Sequence, residues 1–382
     1  MRNTPDIKII TGIRRCGKSK LLQSYMDWIK QTDPQANIIF IDFRLLEFEP
    51  LKDYHQLNSF VEQHYRADVA NYLCIDEVQM CERFELTVNS LHASEQYDIY
   101  LTGSNAFLLS SDLATLFTGR HIELQVLPFS FSEYRQYYGE QEIQSQFDQY
   151  IIEGGLSGSY LYDDKSRKMD YINEVYSTIL RRDLVGKYQL ADSEVLPRLT
   201  EYMMDNISNI SSPGGISNIL CEKGVSTNNH TVSDYMEYLC RAFVFYKVDR
   251  YDLHGKKYLQ SLSKYYLSDV GLRFAILGMR NMDFGRVYEN LVALELIRRG
   301  YRIYVGKFYQ KEIDFVAMKQ SDKIYIQVAA DISNEETFKR EYSPLLQIKD
   351  AYPKWIIART RLPRYDFQGI CVWDLATWLT EK

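Results

Sequence analysis

The chain has 382 residues, a length at which two or three domains are expected. Hydrophobic residues make up 46% of it, and 45 basic against 51 acidic residues give a net charge of -6. This composition excludes a disordered chain and a protein that binds nucleic acid over its whole surface, while a local basic face stays compatible with it.

Cysteine usage and the absence of long apolar runs bear on the compartment. Six cysteines are spread along the chain without a Cys-x-x-Cys pair, which favours a reduced protein over a disulfide framework or a zinc site. The first residues show no apolar region of a signal peptide, and no apolar run approaches the roughly 20 residues of a membrane helix. We therefore expect a soluble, cytoplasmic protein with no membrane partner.

Short apolar strands alternate with helical stretches up to residue 131. The strand patterns, all rich in Ile, Leu, Val and Tyr, lie at 7–11, 37–43, 72–75, 99–102 and 122–127. Continuous apolar runs are typical of strands covered on both faces, and therefore of a parallel sheet with crossover helices. The pattern predicts an α/β fold for residues 1–131.

The rest of the chain changes pattern twice. Residues 132–197 are mostly helical, and two short helices with a Gly turn and a hairpin pattern then predict a winged helix over 198–278. Residues 279–382 follow as a second, separate α/β unit. Its predicted elements are a helix at 285–299, strands at 301–305, 312–318 and 323–329, a helix at 335–350 and a last strand at 355–358.

A Gly-rich segment follows the first strand and precedes a helix predicted at 19–30. Residues 12–19 read Gly-Ile-Arg-Arg-Cys-Gly-Lys-Ser, the pattern of a P-loop, whose backbone N–H groups and helix N-terminus bind phosphates. We expect Lys18 to reach the β- and γ-phosphates of ATP and Ser19 to bind Mg²⁺. The predicted ATP-binding residues are Gly12, Ile13, Arg14, Arg15, Cys16, Gly17, Lys18, Ser19 and Lys20.

Two acidic residues, Asp76 and Glu77, end the strand pattern at 72–75. The C-terminal tips of parallel strands meet at the sheet edge where phosphates bind. We expect Asp76 to hold Mg²⁺, usually through water, and Glu77 to position or deprotonate the attacking water. Two carboxylates are also an ordinary strand end, but beside a P-loop the functional interpretation is favoured.

Two further positions have a functional and a plain interpretation. Gly103-Ser104-Asn105 follows the strand at 99–102, where a polar side chain can touch the γ-phosphate or the lytic water, or can simply form a turn. Arg120 follows a helix predicted at 108–117 and precedes the fifth strand. It is placed to reach a neighbouring subunit's phosphate, unless it is a surface or helix-terminal arginine.

These motifs, with Leu127-Pro-Phe-Ser-Phe-Ser-Glu-Tyr134, resemble the prokaryotic AAA+-type ATPases of the archaeal/bacterial clade over nearly the whole chain. The resemblance implies ATP and Mg²⁺ as cofactors, and a winged helix and a restriction-endonuclease-like domain after the ATPase core. It places Ser104 and Asn105 at the sensor-1 position and Arg120 at the arginine finger of a homo-oligomer.

The resemblance also bears on the two ends of the ATPase core. Gly154-Gly155-Leu156 resembles the turn that opens a small helical lid, which we assign to 132–197. Only six residues precede the first strand, where relatives carry a stretch that helps to hold adenine. Adenine contacts are therefore left unassigned.

By the same resemblance, residues 279–382 carry a degenerate nuclease site. Nucleases of that fold use a helix Glu, a strand Asp and a Glu-x-Lys on the next strand to bind Mg²⁺ and activate water. Glu289, Asp314 and Gln327 fall at these positions, but Gln327-Val-Ala329 lacks the second carboxylate and the lysine. Lys339 replaces that lysine only if its side chain points back into the site.

The predicted winged helix leaves DNA binding open. Its second helix carries polar residues that can meet bases or phosphates, namely Asn228, Asn229, His230, Thr231 and Ser233. Nearby positive charge is modest and is opposed by acidic residues, so a structural winged helix is equally compatible. We interpret Arg181-Arg182-Asp183 as a solvated helix face, with a lid arginine that senses nucleotide as the alternative.

The sequence thus predicts Mg²⁺-dependent ATP hydrolysis that drives a conformational switch, with Lys18, Glu77, Asn105 and Arg120 as catalytic residues. A nucleotide-gated DNA-binding regulator with little turnover is the alternative from another class. A DNA nuclease is the least favoured.

Overall fold

The computed structural model describes residues 2, 4–103, 117, 119–190, 194–255, 257–279 and 282–381, apart from the side chains of residues 259–261. The chain divides into two compact units. The N-terminal unit comprises residues 1–126, 182–189 and 241–243, and the C-terminal unit comprises 127–181, 190–240 and 244–382. The predicted helix at 108–117, together with Ser104 and Asn105, lies outside the described residues except for Phe117.

The N-terminal unit is built on a five-stranded, fully parallel sheet in the order β2-β3-β4-β1-β5. The strands are β1 (Ile7–Thr11), β2 (Asn37–Asp42), β3 (Asn71–Asp76), β4 (Asp98–Thr102) and β5 (His121–Gln125). The helices among its described residues are α1 (Lys18–Thr32), α2 (Tyr54–Gln63) and α3 (Phe84–Ala93), with 3₁₀ turns at Leu46–Lys52 and Val78–Met80. The predicted α/β fold with a parallel sheet is confirmed.

Apolar side chains cover both faces of this sheet. On one face Ile9 and Ile75 join a core that includes Val88 and Leu91 of α3. On the other face Ile10, Tyr72 and Cys74 pack with Leu22, Met26 and Ile29 of α1. Since consecutive residues of β1 and β3 are buried on opposite faces, these strands appear in the sequence as unbroken apolar runs.

The first part of the C-terminal unit is helical, as the sequence predicts. It contains α4 (Phe131–Tyr138), α5 (Ile143–Glu153), a 3₁₀ turn (Ser157–Leu161) and α6 (Lys165–Thr178). A π-helix (Ile179–Gly186) follows, of which residues 182–186 belong to the N-terminal unit. The later helices are α7 (Val195–Asp205), α8 (Pro213–Glu222), α9 (Asn229–Arg241), α10 (Val270–Leu277), α11 (Phe284–Arg298), α12 (Glu335–Gln347) and α13 (Leu375–Thr380). No described helix has both the length and the apolar character needed to cross a membrane.

A nine-stranded sheet in the order β13-β14-β12-β11-β10-β9-β7-β8-β6 runs through the C-terminal unit. Its strands are β6 (Ile210–Ser211), β7 (Phe245–Asp252), β8 (Lys257–Leu267), β9 (Arg302–Phe308), β10 (Lys311–Lys319), β11 (Asp322–Asp331), β12 (Lys354–Arg359), β13 (Arg364–Phe367) and β14 (Ile370–Asp374). The strand predicted as the last one, at 355–358, corresponds to β12, and the expectation that no strand follows is wrong. Strands β13 and β14 are too short to be recognised from the sequence pattern.

The predicted hairpin wing and the predicted separate C-terminal unit share this sheet. Strand β7 pairs with β8 in an antiparallel hairpin and also with β9 in parallel, where Arg250 and Asp252 lie opposite Val305 and Lys307. The expected boundary at 278/279 therefore does not separate two sheets. Parallel pairing between strands about fifty residues apart leaves no local signal in the sequence.

The Gly154-Gly155 turn is a close approach between backbones. A Cβ on Gly155 would lie 2.2 Å from the carbonyl oxygen of Phe129, and one on Gly154 would lie 2.0 Å from a carboxylate oxygen of Asp269. Asp269 caps α10 by accepting the N–H of Gly271 at 2.8 Å, and it also accepts the N–H of Gly155. Glycine is required because a side chain at either position would displace backbone or the capping carboxylate.

Candidate functional site

Strand β4 brings the sequence motifs of the N-terminal unit to one sheet edge. It lies between β1 and β3, with Thr102 opposite Ile10 of β1 and Leu101 opposite Ile75 of β3. All three strands are parallel, so their C-terminal tips point the same way. The P-loop after β1, the Asp76-Glu77 pair after β3 and Thr102 of β4 therefore share one edge.

The P-loop needs glycine at both of its ends. Gly12 has φ 141°, and a Cβ there would lie 2.1 Å from the carbonyl oxygen of Val126. Gly17, with φ 107°, is the N-cap of α1, and its carbonyl accepts the N–H of Leu21 at 2.9 Å. Both φ values lie where side-chain-bearing residues are rarely found. The glycine spacing thus sets the loop's path and the start of α1.

The Lys18 side chain is buried against the P-loop itself. Its Nζ donates to the carbonyl oxygens of Gly12 at 2.8 Å and Ile13 at 3.0 Å. An ammonium has three N–H donors, so one more hydrogen bond is available to a ligand. Ser19 is half-buried in the first turn of α1. The two residues expected to meet phosphate and Mg²⁺ are thus held at the start of one helix.

The other predicted ATP-binding residues differ in exposure. Arg15 and Lys20 are exposed, whereas Ile13 and Cys16 are buried. Burial raises the pKa of the Cys16 thiol, which keeps it neutral and makes it a packing residue of the loop.

Asp76 is almost fully buried and is held by two residues that the sequence did not single out for that purpose. The hydroxyl of Thr102 donates to its Oδ1, and Arg44 Nη2 donates to its Oδ2 at 2.7 Å. The Arg44 guanidinium also donates two hydrogen bonds to Asp42, at 2.8 and 2.7 Å. Burial works to raise the pKa of Asp42, but the hydrogen bonds from Arg44 outweigh it and lower that pKa. Arg44 is thus the shared cation of two carboxylates.

Glu77 adopts a left-handed backbone conformation directly after β3, with φ 57° and ψ 46°. Its N–H donates to Thr102 Oγ1 at 3.3 Å, and its Oε2 accepts from Gln79 Nε2 at 2.6 Å. A left-handed glutamate is uncommon, and strained residues concentrate at functional sites. Because of this conformation the two neighbouring carboxylates point in different directions. Asp76 is buried, and Glu77 is half-exposed at the edge.

Arg14 of the P-loop forms a two-pronged ion pair with Asp183 of the π-helix. Arg14 Nε donates to Asp183 Oδ2 at 2.7 Å and Nη2 to Oδ1 at 2.5 Å. The hydrogen bond with Asp183 is the largest cause of the raised pKa of Arg14. The expected solvated face is therefore wrong for Asp183, which is paired, while Arg181 and Arg182 are exposed.

Arg120 lies at the opposite edge of the sheet from the P-loop. Its side chain is exposed, and its carbonyl accepts the N–H of Ile7 at the start of β1. In the parallel pairing of β1 with β5, Ile7 lies opposite His121 and Thr11 opposite Gln125. The length of β1, about 13 Å at a rise of 3.3 Å per residue, separates Arg120 from the loop after Thr11. Arg120 is therefore badly placed to contact a ligand at the P-loop of its own chain.

A second polar site lies wholly within the C-terminal unit. Asp314 and Gln327 are joined because the N–H of Asp314 donates to Gln327 Oε1 at 2.7 Å. Lys264 of β8 links Asp314 to Glu289 of α11, whereas Lys339 is exposed on α12. Burial raises the pKa of Glu289, and that of Asp314 to about 8. The three expected residues thus meet, but the cation between them comes from a strand that the sequence did not implicate.

The N-terminal geometry agrees with the comparison to known proteins. Residues 4–135 match the model of the AAA domain family, and residues 144–283 match a domain of unknown function (DUF8612). The N-terminal part of the chain is thus an AAA-type domain with a P-loop.

The similarity to one relative extends over the full length. A Haemophilus influenzae protein, described as an uncharacterized protein, is 35% identical over 100% of this chain and 96% of its own length. The chain belongs to the same family as that protein. An uncharacterized protein of Methanocaldococcus jannaschii is 27% identical over 88% of this chain and 77% of its own length.

Two solved structures are similar at a lower level. The ORC1 protein of Aeropyrum pernix, in complex with DNA, covers 78% of this chain and 89% of its own at 12% identity and a TM-score of 0.27. Cdc6p of Pyrobaculum aerophilum covers 76% of this chain and 90% of its own at 11% identity and a TM-score of 0.29. TM-scores of this size do not establish a shared fold.

The Arg14–Asp183 pair should stabilise the N-terminal unit, since both side chains are largely buried and the geometry is bidentate. In a double-mutant cycle of Arg14→Ala and Asp183→Ala, followed by urea unfolding, we expect a coupling energy of about 1–2 kcal/mol. The exposed pair of Lys30 and Asp27 on α1, at 3.7 Å, is the matched control and should give nearly none. Equal coupling in the two cycles would contradict this role.

Proposed function

We propose that the chain binds ATP with Mg²⁺ and hydrolyses it, and that the cycle drives a conformational switch. The observation that carries the proposal is the shared sheet edge of the P-loop and the Asp76-Glu77 pair, one strand apart. The match to the AAA domain supports the same chemistry.

The residues at this edge fit a hard divalent cation. Mg²⁺ prefers oxygen ligands and keeps several waters, and the edge offers the Ser19 hydroxyl and the Asp76 carboxylate. Because Arg44 and Thr102 already contact both oxygens of Asp76, this carboxylate would act through bound water or after Arg44 moves away. The bound cation would supply positive charge to the β- and γ-phosphates.

Lys18 and Glu77 take different roles in this proposal. Lys18 would turn its remaining N–H toward the phosphates and stabilise the charge that develops on them. The Glu77 carboxylate, held by Gln79 on one oxygen, would accept a hydrogen bond from the attacking water and take its proton. Sensing of the γ-phosphate by Asn105 is part of the proposal, while Thr102 holds Asp76 and Glu77 in place.

Two substitutions should separate binding from chemistry. Lys18→Ala should abolish ATP binding because it removes the ammonium that contacts the phosphates. Glu77→Gln keeps the size of the side chain but removes the base, so ATP should bind and phosphate release should fall by about 10²–10⁴-fold. Nucleotide binding by fluorescence and phosphate release are the measurements, with Glu47→Gln at an exposed position as the control. Wild-type turnover in Glu77→Gln would remove the catalytic assignment.

Arg120 at the far edge supports a homo-oligomer in which the arginine of one subunit serves the phosphates of the next. Turnover per subunit should then rise with protein concentration, and Arg120→Ala should flatten that rise while leaving ATP binding intact. Arg66→Ala, at another exposed arginine, is the control. A rate per subunit that is independent of concentration in the wild-type protein would contradict action between subunits.

DNA binding by a winged helix is the second candidate function, favoured by the exposed polar start of α9. Asn228, Asn229, His230 and Ser233 are exposed there, and Asn228 Oδ1 accepts the N–H of Thr231. Duplex DNA should be retained at low salt with an affinity that falls as salt rises. His230→Ala with Asn229→Ala should weaken it. Absence of retention at low salt would reject this candidate and leave the ATPase proposal untouched.

A further inference from the structure

One lysine ammonium lies among three carboxylates inside the C-terminal unit. Lys264 Nζ is 2.8 Å from Glu289 Oε1, 2.7 Å from Glu312 Oε1 and 3.6 Å from Asp314 Oδ1. The lysine side chain is only 4% exposed. We refer to these four residues as the Lys264 cluster. Strand β8 supplies its cation, and β10 and α11 supply its carboxylates.

The surrounding hydrogen bonds fix the cluster in place. Tyr266, two residues along β8, donates its hydroxyl to Glu289 Oε1 at 2.7 Å. The N–H of Val328 donates to Asp314 Oδ2 at 2.8 Å. Glu289 and Asp314, the two more buried carboxylates, thus each have a protein donor besides the lysine. The three carboxylates do not depend on an added ion for a partner.

Gln327 is engaged at both ends of its amide. Its Oε1 accepts from the N–H of Asp314 at 2.7 Å, and its Nε2 donates to Glu341 Oε2 at 3.2 Å. A glutamine that held a metal ion would direct its oxygen at the ion, whereas here the oxygen faces the backbone of β10. The third position of the nuclease pattern therefore serves to join β10, β11 and α12.

A divalent metal ion does not fit this arrangement. Mg²⁺ binds oxygens at about 2.0–2.1 Å and would have to lie among the oxygens that Lys264 Nζ already contacts. The metal ion and the Lys264 ammonium would then lie close together, and two cations so close repel each other strongly. Within the described ranges, no group of three or more His, Cys, Asp and Glu side chains is arranged to hold a metal ion.

We propose that the Lys264 ammonium is a built-in cation that takes the place of the metal ion in this nuclease-like site. The site then binds no divalent metal and cleaves no phosphodiester, and its charged residues join β8 to β10 and α11. Nucleases of this fold carry a lysine at the position of Ala329, next to the metal ion. Lys264 does not take over that role, because its ammonium contacts the carboxylates directly. Removal of the ammonium should leave a pocket of carboxylates able to take a metal ion.

The test is Mn²⁺ binding to the full-length, nucleotide-free protein, measured by titration calorimetry and by thermal unfolding. Lys264→Ala should lower the melting temperature in EDTA and gain a Mn²⁺ site that restores it. The gain should disappear when Asp314→Asn is added. Lys257→Ala, which removes an exposed lysine of the same strand, should behave as the wild type with and without Mn²⁺.

Two results would overturn the proposal. One is a Mn²⁺ site in the wild-type protein that Asp314→Asn abolishes, because the ammonium would then not occupy the metal position. The other is a folded Lys264→Ala variant that gains no Mn²⁺ binding. If Lys264→Ala alone does not fold, Lys264→Ala with Glu312→Gln carries one negative charge fewer in the cluster and is tested in the same way. If neither folds, the wild-type comparison decides the question.

Discussion

The parallel pairing of β4 with both β1 and β3 is the constraint on which the proposed nucleotide site depends. Strand direction decides which ends of the strands meet, and register decides which residues lie side by side. With Thr102 opposite Ile10 and Leu101 opposite Ile75, the P-loop, the acidic pair and the Thr102 hydroxyl are brought to one edge. An antiparallel β4 would carry Thr102 to the far edge and leave Asp76 without its hydroxyl donor.

Buried carboxylates are held by arginine and lysine side chains in both units. Arg44 bridges Asp42 and Asp76 at the P-loop edge of the sheet, and Lys264 bridges carboxylates of β10 and α11 in the C-terminal unit. Removing one partner from a buried ion pair costs about 3–5 kcal/mol, because the other charge is left unpaired. The two cations differ in exposure. Arg44 is about half exposed, whereas Lys264 is enclosed.

The sequence was sufficient for the features that are local in the chain. The P-loop is eight consecutive residues between a strand and a helix, and Asp76-Glu77 directly ends an apolar run, so both could be predicted without a structure. The partners of these residues could not, because they are distant in sequence. Asp183 is 169 residues from Arg14, and Arg44 is 32 residues from Asp76. The identity of a charged residue does not indicate which residue it pairs with after folding.

The same limit explains the C-terminal unit. Glu289, Asp314 and Gln327 could be placed by spacing, since each falls on a strongly patterned helix or strand. Lys264 lies within the predicted winged helix, and only the continuation of the sheet from β7 to β9 brings it near β10. In that sheet, Gln327 of the altered Gln327-Val-Ala329 segment connects β11 to β10 and α12 through hydrogen bonds.

Hydrolysis of ATP with a divalent cation at the N-terminal site is tested most directly by the rate of phosphate release from ATP. This rate is measured for the purified wild-type chain in Mg²⁺ and again after EDTA is added. We expect steady release in Mg²⁺ and its loss in EDTA. Release that continues unchanged in EDTA, or no release in Mg²⁺ across a range of protein concentrations, would contradict it.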